Sequence, residues 1–200
     1  MSTSVRMEYT DAELNELILE NIAKMLSIRA KTPDKYNELF TLLKKNYKNE
    51  VSYIDIDGFK YSVKIVTRKL STIKVEDITS FLNTYAQYNK LIVFTYLIPK
   101  VVSSLLMYPN LELHKFDDLL VDHSQYVLSQ QTEVLSQEDG DKVMEEYYFT
   151  NTTISQIKIS DIVSRFYNLK PGQIIKTTMV SPETGLSVKY RKCVNSPKFE

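Results

Sequence analysis

Val51-Ser-Tyr-Ile-Asp-Ile-Asp-Gly-Phe-Lys-Tyr-Ser-Val-Lys-Ile-Val66 is the stretch from which the fold is read. Phe59, Tyr61, Val63 and Ile65 alternate with Lys60, Ser62 and Lys64, the period of two expected of a half-buried strand. Asp57-Gly58 is a tight-turn dipeptide, so Val51–Asp57 and Phe59–Val66 are predicted to form a β-hairpin. Helical patterns flank it. Leu14, Leu17, Ile18, Ile22, Met25 and Leu26 recur on one face between Asp11 and Ala30, with Thr10 or Asp11 as N-cap. Pro33 interrupts, and Tyr36, Leu39, Phe40, Leu42, Leu43 and Tyr47 begin a second helix. After the hairpin, Glu76 to Tyr88 carries Ile78, Phe81, Leu82 and Tyr85 on one side. Leu91–Ile98 is a continuous apolar run suited to a strand covered on both faces. Val101–Tyr108 reads as a short helix and Leu111–Lys115 as a further strand. Helices alternating with strands make residues 1–118 an α/β domain.

Residues 119–200 read as a second, smaller unit of mixed α+β character. Gln125 to Asp141 is polar, helical potential follows over Asp141–Tyr148, and Thr150–Thr153 is a loop. Ser160 or Asp161 is placed to cap a short helix holding Ile162, Val163, Phe166 and Tyr167. Pro171-Gly172 turns the chain, and Ile174–Val180 and Leu186–Val194 are strands joined by Ser181-Pro-Glu-Thr-Gly185.

Composition excludes several function classes. The 200 residues are 43% hydrophobic, with 14 Tyr and 8 Phe, enough apolar surface for a packed core. Lysine and arginine number 25, as do aspartate and glutamate, so the chain cannot hold nucleic acid by bulk charge. The basic residues are nevertheless concentrated: 31–74 has ten against five acidic, and 162–200 seven against two, whereas Glu138 to Asp161 is acidic. One cysteine, Cys193, precludes an intrachain disulfide and suits a buried strand position. His114 and His123 lack partner cysteines for zinc, and four glycines leave no phosphate-cradling loop. No cofactor is expected. The amino terminus has no secretory pattern and no apolar run approaches the roughly 20 residues of a membrane span, so no membrane role is expected and the chain reads as intracellular. Asp55 and Asp57 followed by Lys60 and Lys64 suggest a metal-dependent nuclease. The acid-x-Lys pattern such a site needs falls at Ser62-Val63-Lys64, where the acid is a serine.

A longer signature lies near the carboxyl end: Asp161-Ile-Val-Ser-Arg-Phe-Tyr-Asn-Leu-Lys-Pro-Gly-Gln-Ile-Ile-Lys176, then Ser181-Pro-Glu-Thr-Gly185, then Tyr190-Arg191. Without a gap it resembles the assembly domain of the fifth subunit of DNA-directed RNA polymerase, a domain shared with the archaeal counterpart of that subunit. Asp161, Val163, Leu169, Lys170, Gly172, Lys176, Ser181, Gly185, Tyr190 and Arg191 fall in register with the family pattern. Asp161, Gly172 and Gly185 read as residues of the fold: a helix cap and two turn glycines. Lys176, Tyr190 and Arg191 are the candidates for subunit contact. The chain departs from the pattern at Ile162, where the family has proline, at Asn168, where it has glycine, and at Met179, where it has arginine. A family segment H-x-L-V-P-x-H aligns with Gln125–Gln131, which keeps Leu128 alone.

The resemblance implies a non-catalytic subunit of a multi-subunit polymerase, with the largest subunit and other polymerase subunits as partners. The two-domain length is similar to the eukaryotic-type form, since archaeal relatives lack the N-terminal domain. Residues 119–200 would dock on the largest subunit. Residues 1–118 would form a jaw domain with a restriction-nuclease-like fold lacking its catalytic site, in the lower jaw near downstream double-stranded DNA. Any DNA contact would be to phosphates and independent of sequence, with Lys44, Lys45, Lys48, Lys60 and Lys64 as candidates. The richness in Lys, Asn, Ile and Tyr looks like a version from a large DNA virus or a divergent AT-rich eukaryote, which implies the virion and host cytoplasm for the first and the nucleus for a cellular source. The alternatives are an assembly module acting outside the polymerase, and a nuclease dependent on Asp55.

Overall fold

A computed structural model of the chain describes residues 9–56, 59–66, 75–96, 99–105, 107–123, 131–181 and 185–195. Asp57-Gly58, Leu97-Ile98, most of the Gln125–Gln131 segment and Pro182-Glu183-Thr184 lie outside them. Chain contacts divide the protein into Met1–Asp122 and His123–Glu200.

In the first unit, helix α1 (Asp11–Arg29) opens with a capping box: Thr10 accepts from the Glu13 N–H, and Glu13 accepts from the Thr10 N–H. A 3-10 turn at Pro33–Lys35 leads into α2 (Tyr36–Asn46). Strands β1 (Val51–Ile56) and β2 (Phe59–Val66) pair antiparallel with Ile56 opposite Phe59. Helix α3 (Val75–Thr84), β3 (Asn89–Phe94), α4 (Pro99–Leu105) and β4 (Leu111–Lys115) follow, then a single turn, α5 (Phe116–Leu119). The sheet order is β1-β2-β3-β4, with β2, β3 and β4 parallel. Two successive crossovers advancing in the same direction put α3 and α4 on the same face, given the right-handed rule. There Ile78, Phe81, Leu82, Val101, Val102 and Leu105 pack on Val66, Ile92, Phe94 and Leu113. Alternation sends Ile54, Val63, Ile65, Leu91 and Val93 to the opposite face, where α1 and α2 lie. Arg29 of α1 reaches Glu112 of β4 from that side, and the Ser52 hydroxyl donates to the Leu43 carbonyl of α2. Each such buried Leu or Ile contributes about 1.5–3 kcal/mol.

The helix expected over Glu76–Tyr88 ends early, at Thr84, and the strand expected from Leu91 begins at Asn89. Lys90 accounts for both shifts. Its side chain is buried, and its ammonium donates to the carbonyls of Ala86 and Tyr88, holding the turn that separates helix from strand.

The second unit is built on the sheet β5-β7-β8-β6. Its strands are β5 (Thr132–Val134), β6 (Ser155–Lys158), β7 (Ile174–Ser181) and β8 (Gly185–Val194). Helix α6 (Gln137–Glu146) starts four residues before the expected Asp141, because the Ser136 hydroxyl accepts from the Asp139 N–H as N-cap. Asp161 caps α7 (Ile162–Phe166) by accepting from the Val163 N–H at 2.9 Å. Val163 and Leu169 pack with Ile157, Ile175 and Cys193 in this unit's core.

Candidate subunit interface

The two faces of the β7–β8 hairpin are covered unequally. Its register pairs Val180 with Leu186, Thr178 with Val188, Lys176 with Tyr190 and Ile174 with Lys192, which puts these eight residues on one face. Ile175, Thr177, Met179, Ser187, Lys189, Arg191 and Cys193 occupy the other, the face α7 packs against.

On the first face, α6 covers only the end near Ile174, whose side chain lies against Gly140. Next come three aromatic rings: Tyr147 stacks on Phe149 at 5.6 Å between centres and meets Tyr190 at 5.4 Å. The Glu146 carboxylate, with Tyr190 beside it, holds the Tyr147 hydroxyl above the usual phenol range. Beyond the rings nothing among the described residues of the unit covers the sheet. Val180 is 81% exposed, Leu186 71% and Val188 47%. Burial of apolar area drives folding, so aligned apolar side chains left in water on a sheet face mark a surface for a partner.

Of the three residues that the sequence singled out for contact, Lys176 and Tyr190 are register partners on this open face. Arg191 is on the opposite face, half-buried, with Nη2 at 3.4 Å from the Thr177 hydroxyl. Gly172 has φ +94° and occupies the third position of a turn closed by the Gln173 N–H donating to the Lys170 carbonyl. Gly185 has φ +74° at the start of β8. Val180, Leu186 and Val188 were not picked out by sequence reasoning. The signal was present: the hairpin has apolar residues on both faces, while the cluster around Ile175 and Cys193 draws on one face and only Ile174 is buried on the other.

In the first unit the five candidate lysines do not share one surface. Lys44 and Lys45 are in the last turn of α2, and Lys48 follows before β1. Lys60 and Lys64 point to the other side of the sheet, toward α3. Lys44 is ion-paired with Glu16, Lys60 lies 3.9 Å from Asp55, and the Lys64 ammonium sits 5.9 Å from the centre of the Phe81 ring. Asp55 also accepts from the Tyr88 hydroxyl at 2.8 Å. Among the described residues no group of three or more His, Cys, Asp or Glu side chains could hold a metal ion, and no helix is long and apolar enough to cross a membrane.

Comparison with known proteins decides the family. The profile of the RNA polymerase Rpb5 C-terminal domain matches residues 121–193. The DNA-directed RNA polymerase subunit Rpo5 of Metallosphaera sedula is 39% identical over 75 residues, covering 38% of this chain and 90% of that protein. The chain belongs to the RNA polymerase subunit 5 family. A viral member extends the likeness toward the amino terminus. Subunit 5 from Acanthamoeba polyphaga mimivirus is 28% identical over 139 residues, which is 69% of this chain and 67% of the relative. Subunit 5B of polymerases IV and V from Arabidopsis thaliana matches at 28% over 86 residues, 43% of this chain and 39% of its own. The matched profile spans β7 and β8 as far as Cys193, the open face included.

Proposed function

We propose that this subunit-5 protein is a non-catalytic part of a DNA-directed RNA polymerase. It docks on the largest subunit through the open face of its C-terminal unit. The observation that carries this reading is the uncovered row of Val180, Leu186 and Val188 beside the aromatic cluster at Tyr190. A subunit held permanently in a complex buries such a face, and obligate interfaces are more apolar than ordinary surface.

The N-terminal unit is then the part of the lower jaw near downstream DNA, with an inactive restriction-nuclease-like fold. Among the described residues no carboxylate pairs with Lys45 or Lys48, so these two are better placed for phosphates than Lys44 or Lys60, which have acidic partners. The protein acts wherever its polymerase does, in virion and host cytoplasm for a viral source or in the nucleus for a cellular one.

Replacing Leu186 and Val188 by glutamate tests the docking. Both side chains are in water in the free chain, so the thermal midpoint should stay within a few degrees. Incorporation into polymerase, measured by recovering the complex and quantifying the subunit, should fall on the order of tenfold or more because two charges would be buried unpaired. Undiminished incorporation would remove this face from the interface.

A further inference from the structure

The face of the hairpin opposite the apolar row has a different chemistry. Among its strand residues, Lys189 and Arg191 are the charged ones, and both flank Thr177, which is paired across the ladder with Lys189 and, on its other side, with Thr132. Thr132, Thr177 and Ser187 contribute hydroxyls to this face, and no strand residue of it is acidic.

Arg191 is incompletely satisfied there. Its Nε is shut off from water and has no hydrogen-bond partner. Among the described residues the guanidinium's one polar contact is Nη2 to the Thr177 hydroxyl at 3.4 Å, longer than a normal N–H···O bond. Among the described residues no carboxylate forms an ion pair with it. Arginine cannot shed its proton to escape this position. A cation drawn partly out of water without an acceptor is costly, and the cost is recovered when a carboxylate engages the outer nitrogens.

We propose that Arg191, with Lys189 beside it, receives a carboxylate side chain of the polymerase subunit on which the C-terminal unit docks. The proposal rests on the docking reading above and adds the chemistry of the partner: an acidic residue reaches this face while apolar side chains cover Val180, Leu186 and Val188 on the other. The hairpin is thereby clasped from both sides. A polypeptide carboxylate fits better than a nucleic-acid backbone. Two cations are few for tracking phosphates, and the half-buried Met179 between hydroxyl side chains suits a protein contact.

The test is competitive incorporation. Wild-type chain and one tagged variant are expressed at equal levels in the native source, polymerase is recovered after nuclease treatment, and their ratio in the complex is measured. Arg191→Gln should be depleted on the order of 30-fold, the usual consequence of removing one partner of a buried charge pair. Its thermal midpoint as a free chain should be unchanged or raised, since no internal acid loses its partner. Arg191→Lys should be depleted less, because it keeps the charge and loses the fork. Incorporation of Arg191→Gln at parity while Val188→Glu is excluded would overturn the carboxylate receptor and leave docking intact. Parity for both variants would overturn both readings. A midpoint lowered by several degrees in Arg191→Gln would make Arg191 an internal structural residue and equally overturn the proposal. So would a depletion seen only when nuclease is omitted, which would assign the anion to nucleic acid.

Discussion

Asn168 sits at φ 50°, in the left-handed region where the family pattern has glycine. Asparagine tolerates this better than most residues because its short polar side chain bonds locally; here its carbonyl oxygen accepts from the Lys170 ammonium at 3.0 Å. Asn168→Gly should change stability by less than about 1 kcal/mol, whereas a β-branched residue should cost about 1–2 kcal/mol, read as thermal midpoints. Gly172 isolates the backbone effect more cleanly. A Cβ placed there would meet nothing within 4 Å, so the cost of Gly172→Ala comes from φ +94° alone, about 1 kcal/mol. A midpoint unchanged in Gly172→Ala would show that the turn at Pro171 relaxes to another form. Cys193 is a residue whose role the sequence suggested and whose surroundings the structure supplies. It is buried in the sheet core, and burial pushes its thiol up, so alkylation of the native chain should be slow beside that of the urea-unfolded chain.

Helix ends show how a chain with four glycines closes its elements. Three helices finish with the same pair of backbone bonds, in which the third residue past the helix reaches back five residues and the second reaches back to a nearer carbonyl. These are Thr32 to Ser27, Phe149 to Met144 and Leu169 to Ser164. The left-handed residue each closure requires is Lys31, Tyr148 and Asn168, not glycine. Tyr148 is the least suited of them, a bulky side chain at φ 53° and 90% exposed. Tyr148→Gly should therefore raise the thermal midpoint by an amount corresponding to about 1 kcal/mol. If the aromatic cluster beside it belongs to the interface, the same variant should lower incorporation into polymerase, and a variant neutral in both measurements would remove Tyr148 from the account. At this scale the sequence was informative where periodicity was strong. The β1–β2 alternation, the α1 face and the Asp161 cap were all readable. Strands β5 and β6 were not, because three or four residues with a single apolar one, Val134 or Ile157, show no alternation and take their structure from the neighbouring strand. The early end of α3 was hidden for another reason: it depends on a buried lysine, Lys90, which pattern reading places in water. The open face of the hairpin was only half legible, since alternation places Val180, Leu186 and Val188 together but cannot say that no helix among the described residues covers them.

Across the whole molecule, charge is used differently in the two units. The N-terminal unit buries a network in which Arg29 holds both oxygens of Glu112, at 3.0 and 2.9 Å, and His114 lies 3.4 Å from the same carboxylate. Burial pushes the Glu112 carboxyl up, but the hydrogen bond with His114 and the charge of Arg29 outweigh it and hold the group at about 2. Because the folded value lies below the ordinary 4.5, this contribution is fully present above pH 4.5 and is lost as pH falls toward 2. Its size is on the order of 3 kcal/mol. Urea midpoints should fall steeply between those pH values in the native chain. Glu112→Gln should start lower, by roughly 3–5 kcal/mol, and fall less steeply, because Arg29 is then left buried without its acid. Parallel pH dependence in the two would show that other carboxylates govern acid unfolding. In the C-terminal unit the half-buried guanidinium of Arg191 has no internal acid among the described residues, and apolar residues stand in water on the opposite face of the hairpin. On the proposed docking, that unit is finished by a partner. Recovery of the tagged chain from its native source at moderate salt, with identification of what accompanies it, tests this most directly. The two very large polymerase subunits should be recovered in equal amounts with the chain, and should be lost when Leu186 and Val188 are both glutamate. Recovery of the chain alone, or with partners unrelated to polymerase, would contradict it.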